Sequence, residues 1–171
     1  MALDQQYRTL RFADTDEVGE REVIELWERQ GVLRGPRAAE RAREVARVAL
    51  DAENRLVGVS TVYLDRSAQL RTQMWHYRTY VHPDHRHSDV ARNLLHETTV
   101  DLDQAFSSGR DTRAPGMVMY IQNEGIKRYW NQGRWINPPI WVGSEWPFIG
   151  ESRHGEHVRV HWFPRAHAPL P

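Results

Sequence analysis

The order of segments along this 171-residue chain predicts a mixed α/β fold. Three observations predict it. A helix-period stretch over 89–106 is preceded by a β-branched run at 56–64 (LVGVSTVYL) and followed by a short apolar run at 117–121 (MVMYI). The length suits one compact domain over 1–171, with the Pro-rich end, 164–171, loosely held.

Each element has its own warrant. Residues 7–12 (YRTLRF) alternate in character and read as a first strand, with Asp14, Thr15 and Asp16 as turn or cap residues. Residues 19–30 read as a helix, with Val23, Ile24 and Trp27 on one face and Gly31 as its stop. Pro36 opens a second helix that Ala38, Ala39 and Ala42 favour. Residues 45–50 and 56–64 read as strands joined by a turn at Asp51–Asn54, and 74–81 (MWHYRTYV) as a strand ended by Pro83. In 89–106, Val90, Leu94, Thr98, Leu102 and Phe106 recur every fourth residue. The run 117–121 is read as a buried strand, 124–132 as a helix ending at Gly133, and the aromatic segments near 140–149 and 157–163 as final strands.

Composition removes several functions. Lys plus Arg equals Asp plus Glu at 23 each, so no global charge draws the chain to nucleic acid or an anionic membrane. The absence of cysteine excludes disulfides, thiolate metal sites and a cysteine nucleophile, and it fits a reducing cytoplasm. The N-terminal stretch has no apolar run of the signal-peptide kind, and no segment has the length of a membrane span.

Three segments carry a likeness to a known family. RLVGVSTVYL (55–64) has a Val-Gly pair inside a strand. YVHPDHRHSDVARNLL (80–95) joins a strand, a loop and a helix, with Val81, Pro83, Arg86, Ala91, Leu94 and Leu95 in register. IQNEGIKRYWNQGRW (121–135) joins a strand to a helix, with Gln122, Gly125, Tyr129 and Gly133 in register; starting from Asn123 instead shifts the pattern by one and loses Tyr129. Together they resemble the GCN5-related N-acetyltransferase (GNAT) superfamily over roughly 7–163, with a degenerate pyrophosphate loop.

The resemblance implies a mixed, mostly antiparallel sheet of six to seven strands, flanked by about four helices and splayed between the strands at 74–81 and 117–121. It implies an acetyl or other acyl group moved from acetyl-CoA, or a related pantetheine thioester, to an amine by direct attack. Backbone groups of Trp75 to Val81 would hold the pantetheine arm, and the N–H groups near Tyr80 and Val81 would stabilise the oxyanion. The pyrophosphate would lie on Arg86, His87, Ser88, Asp89, Val90, Ala91 and Arg92, with Gln122 and Asn123 also toward the donor. Tyr129 would protonate the leaving thiolate. Asp89 stands where relatives usually have glycine. Its carboxylate either occupies or repels the phosphate position, or it caps the helix together with Ser88. Dimerisation is a family-level expectation. Two alternatives stand beside the enzyme: a non-catalytic binding or regulatory module of this fold, and a transferase that takes its acyl group from a carrier protein.

Other residues compete for roles. His76, His82 and Glu124 are candidate bases, each with an ordinary packing or surface role as the simpler reading. The groups His82, His85, His87 and His154, His157, His161 lack a completing carboxylate or cysteine, so no metal is expected. Five of the seven tryptophans, from Trp130 to Trp162, read as core or interface residues before pocket lining. The arginine-rich run 34–47 alternates with Glu40 and Glu44 and reads as a solvated face, while Asp14, Asp16 and Glu17 are either turn residues or contacts for a cationic amine.

Overall fold

In a computed structural model, residues 6–129, 133–136 and 145–166 are described, with the backbone alone at 129 and 134–136. The elements run β1 (Tyr7–Arg11), α1 (Glu20–Arg29), α2 (Gly35–Ala42), β2 (Val45–Asp51), β3 (Leu56–Arg66), β4 (Gln73–Val81), α3 (Val90–Ser107), β5 (Gly116–Ile121), α4 (Glu124–Tyr129), β6 (Arg134–Ile136), β7 (Glu145–Glu151) and β8 (His157–Trp162). The strand order is β1-β2-β3-β4-β5-β8-β7-β6. β4 and β5 are parallel, whereas β1–β2, β2–β3, β5–β8, β7–β8 and β6–β7 are antiparallel. The expected sheet is present as β1–β5, β7 and β8. The three-residue β6 is an addition that the sequence pattern did not reveal.

The chain divides into two compact units, and neither is one continuous stretch. The first comprises Met1–Val62 and Thr79–Thr98; the second comprises Tyr63–Arg78 and Thr99–Pro171.

In the first unit, α1 starts where Glu22 accepts a bond from the Gly19 N–H at 3.0 Å, and it stops at Gly31, whose φ of 67° suits glycine. Val23 and Trp27 of α1 and Ala38 and Ala42 of α2 are buried against Val48, Leu50 and Val59. The expected turn after β2 is held by buried Asp51. Its Oδ1 accepts from the N–H groups of Glu53 and Arg55 at 3.0 and 2.9 Å, and its Oδ2 from Arg55 Nε at 2.8 Å. Asn54, at φ 60°, takes the left-handed position that asparagine tolerates. The N-terminal half of α3 lays Val90 and Leu94 on Ala49, Val57 and Val81. Gly58 permits this approach: a β-carbon there would stand 2.7 Å from Val90 Cγ1 and 3.0 Å from Leu94 Cδ1. Farther along α3, Thr98 bonds Ser60 at 2.9 Å, and Glu97 is joined to both Arg47 and Thr9.

In the second unit, Met74, Val118, Val158 and Val160 form one buried cluster. Gly116 lets β5 meet β8 closely, since a β-carbon there would fall 2.3 Å from the His161 carbonyl oxygen. Trp146 is fully buried beside His161, whose ring also packs on Phe163. Phe163 in turn meets Phe106 of α3. Trp75 and Trp146 here, like Trp27 in the first unit, are core residues. Trp130 and Trp141, and the side chain of Trp135, lie outside the described residues.

Candidate functional site

β4 pairs with β5 at three positions only: Trp75↔Met117, His76↔Val118 and Tyr77↔Met119. β4 runs on to Val81 and β5 to Ile121. The sequence expectation of open backbone from Trp75 onward is therefore corrected, because Trp75, His76 and Tyr77 are engaged in a parallel ladder. The stretch of β4 beyond the ladder is Arg78–Val81.

That stretch is firmly held on its other contacts. Thr79 Oγ1 donates to the Val59 carbonyl at 3.3 Å, and the His82 N–H donates to the Val57 carbonyl at 2.8 Å. Val81 is buried against α3. Its carbonyl accepts from Arg86 Nε at 3.2 Å, so the Arg86 side chain turns back to the strand. Tyr80 packs against the α1–α2 core. Burial pushes its phenol above the ordinary range, with the Arg86 charge opposing.

The loop from His82 to the start of α3 was expected to offer free N–H groups to phosphate. It uses most of them itself. The N–H groups of His85, Arg86 and Ser88 donate to the carbonyls of His82, Pro83 and His85 at 2.9, 3.3 and 3.2 Å. The Asp84 N–H donates to His82 Nδ1 and the Val90 N–H to Ser88 Oγ, both at 3.3 Å. Pro83 fixes this tight turn by favouring a helical φ. Ser88 thus caps α3, while the Asp89 carboxylate pairs with Arg92 one turn along. His87, Asp89 and Ala91 are exposed. Two side chains from elsewhere pin the loop: Tyr7 Oη bonds His85 Nδ1 at 2.9 Å, and the Gln30 amide meets His82 Nε2 at 3.0 Å. Because His82 Nδ1 accepts the hydrogen bond from the Asp84 N–H, the ring hydrogen lies on Nε2, and Gln30 is best oriented with its oxygen toward it.

The second unit holds Gln122, Asn123 and Tyr129. Gln122 Nε2 donates to Glu156 at 2.7 Å. Asn123 caps α4, its Oδ1 accepting from the Ile126 N–H at 3.1 Å. Both side chains are thus engaged within the unit. Tyr129 is the last residue of α4, and its side chain lies outside the described residues.

Each of the three candidate bases is either buried or already paired. His76 is 6% exposed and lies between Tyr63 and Tyr120, at ring distances of 4.8 and 5.7 Å, with the Arg78 guanidinium 4.3 Å over the Tyr63 ring. Burial lowers its pKa, Asp65 opposing. His82 is occupied as described. Glu124 is paired with Lys127 at 2.6 Å, which holds its carboxyl below the ordinary range. Asp14, Asp16 and Glu17 line a depression of 510 Å³ in the first unit, together with Thr9, Arg11 and Arg47. Glu17 is paired with Arg8, and Asp14 meets Arg11 at 3.3 Å. Among the described residues no group of three metal-ligating side chains is arranged to hold a metal ion. His161 instead faces the Glu145 carbonyl at 3.0 Å, and His157 packs on Phe148.

Sequence reasoning missed the Arg47–Glu97–Thr9 group and the pinning of His82 and His85, since their partners lie 38 to 88 positions apart. No local spacing signals contacts of that range.

No protein-family profile matches the sequence. No curated protein matches it. Solved structures do. A phosphinothricin acetyltransferase of the GNAT superfamily from Sinorhizobium meliloti, in complex with AcCoA, is similar with a TM-score of 0.56 at 15% identity, over 97% of this chain and 93% of that one. A GNAT-family acetyltransferase from Streptococcus pneumoniae gives 0.53 at 12%, over 91% and 99%. The ribosomal-protein-S5-alanine acetyltransferase from Vibrio fischeri gives 0.53 at 10%, over 95% and 96%. The fold is that of the GNAT acetyltransferases. Among the described residues no helix is long and apolar enough to cross a membrane.

Proposed function

We propose that this chain is an acyltransferase that moves an acetyl or other acyl group from a pantetheine thioester to an amine. The observation that carries the reading is the three-pair β4–β5 ladder, which ends at Tyr77↔Met119 while β4 continues to Val81. A strand that outruns its partner presents peptide groups along one edge. Those groups match the amides of a pantetheine arm, which needs alternating donors and acceptors. The GNAT fold of the solved neighbours supports the same reading.

In this reading the amine nitrogen attacks the thioester carbonyl. A tetrahedral oxyanion forms, which N–H groups near Tyr80 and Val81 stabilise. The carbon–sulfur bond then breaks, and Tyr129 gives its proton to the thiolate. The amine's proton leaves to water, because His76 is enclosed and His82 and Glu124 already have partners. The loop residues do not fit a pyrophosphate as they stand, so no step is routed through that part of coenzyme A. The reaction places the chain in a compartment that supplies acyl thioesters, in keeping with a cytoplasmic protein.

The test is direct. The protein is mixed with acetyl-CoA or acetyl-pantetheine and a panel of primary amines, and thiol release is followed together with thermal stability. Stabilisation by a thioester and amine-dependent thiol release support the reading. Binding of neither donor favours a non-catalytic module, a second reading that the enclosed His76 and the self-bonded loop support.

A further inference from the structure

We propose that the acyl donor is recognised no farther than its phosphopantetheine arm, and that the 82–90 loop makes no grip on a nucleotide pyrophosphate. The inference rests on the acyltransferase reading and narrows its donor class. A pyrophosphate is bound at a helix start when several backbone N–H groups and positive charge converge on it. Here five of the seven N–H groups from Asp84 to Val90 have a prior partner. The N–H groups of His85, Arg86 and Ser88 close the turn that Pro83 begins. Those of Asp84 and Val90 go to His82 and Ser88 side chains.

Two of the nearby charges are also engaged. Arg86 Nε is bonded to the Val81 carbonyl. Arg92 is paired with Asp89, whose carboxylate brings negative charge to the start of α3 where an anion would sit. Nor is the loop free to reorganise cheaply. Tyr7 holds His85 and Gln30 holds His82, so opening the turn breaks contacts to β1 and to the residue that ends α1 as well as the loop's own bonds. A phosphate arriving there meets the Asp89 carboxylate and a turn that is already closed by its own bonds.

The donors that remain are thioesters whose recognition ends at or before the first phosphate: a free acyl-pantetheine, or an arm attached through a single phosphodiester to a carrier protein. The experiment measures dissociation constants of the full chain by calorimetry for S-acetyl-pantetheine, S-acetyl-4′-phosphopantetheine and acetyl-CoA. The expected result is that acetyl-CoA binds within about threefold of S-acetyl-4′-phosphopantetheine. A gain on adding the single phosphate points to a carrier-borne arm, and equal binding of the first two compounds points to a free one. Acetyl-CoA binding tenfold or more tighter than S-acetyl-4′-phosphopantetheine overturns the inference and leaves the acyltransferase reading standing. Binding of none of the three overturns both.

Discussion

Gly58 lies beneath Val90, so close that a single β-carbon would reach within 2.7 Å of the valine methyl. The helix α3 sits on the sheet at this point because no side chain stands between them. Leu94 at 3.0 Å and Ala49 at 3.3 Å close the other sides. Gly58→Ala is therefore expected to destabilise the fold by about 1–3 kcal/mol through overpacking. Denaturant unfolding measures it. An unchanged midpoint would show that α3 can shift without cost.

The Arg47–Glu97 pair predicts an asymmetry. The Arg47 side chain is 13% exposed and that of Glu97 39%. Removing the acid strands a charge that is mostly out of water, whereas removing the arginine leaves a carboxylate that water can reach. Glu97→Ala is expected to cost about 2 kcal/mol. Arg47→Met, which keeps much of the buried stem, should cost less. Equal losses in urea unfolding would contradict this account.

His76, His96 and His161 all have pKa values lowered by burial from the ordinary 6.5. The unfolded chain therefore takes up protons first as pH falls. The stability these neutral rings contribute is complete above about pH 6.5 and is lost as pH drops toward their folded values. Thermal melts between about pH 7.5 and about pH 5 should show a steady fall in Tm. Around His76 the charged groups are Asp65 and Arg78; around His161 they are Asp103 and Glu145. Asp51, Asp111 and Glu156 have lowered pKa values, so their loss comes later, starting within the ordinary carboxylate range and complete only below it. His76→Phe keeps a ring between Tyr63 and Tyr120 and should flatten the first part of the curve. A slope identical to that of the unsubstituted protein would remove His76 from the explanation.

Tyr129→Phe addresses the proposed chemistry. Turnover is expected to fall by about a hundredfold, with the donor's dissociation constant unchanged. Unaltered turnover would assign the proton to another group or to water.

Asp89→Gly removes the carboxylate that holds Arg92. The variant is expected to bind adenosine 3′,5′-bisphosphate about tenfold better than the unsubstituted chain, as judged by thermal shift. Equal shifts would mean that the loop's backbone bonds, and not this ion pair, are what keep an anion out.

The architecture was legible where periodicity is strong and local. The four-residue recurrence from Val90 to Phe106 marks α3 to within one residue at each end, Val90–Ser107 against 89–106. The β-branched run starting at Leu56 marks β3, although the strand continues to Arg66. β6 escaped because three residues, Arg134–Ile136, carry too little pattern to separate a strand from a loop. The site was legible in its segments and not in its hydrogen bonds. Arg86, Ser88 and Asp89 were recognisable as a loop before a helix. That the loop bonds to itself depends on the turn begun by Pro83 and on Tyr7 and Gln30, contacts that no spacing rule encodes. His76 was a base on paper because it lies on the central strand; Tyr63 and Tyr120, on other strands, enclose it.

Among the described residues β1 stands at one end of the strand order, with β2 as its one neighbouring strand. Such a border invites strand addition and aggregation. Arg8 and Arg11 guard it. Arg8 is tied to Glu17 and Asn54, and Arg11 to Asp14, so a strand added here would run beside two guanidinium groups, one on each face of the sheet. Two charged side chains on a five-residue edge strand make this border a poor template for a second copy.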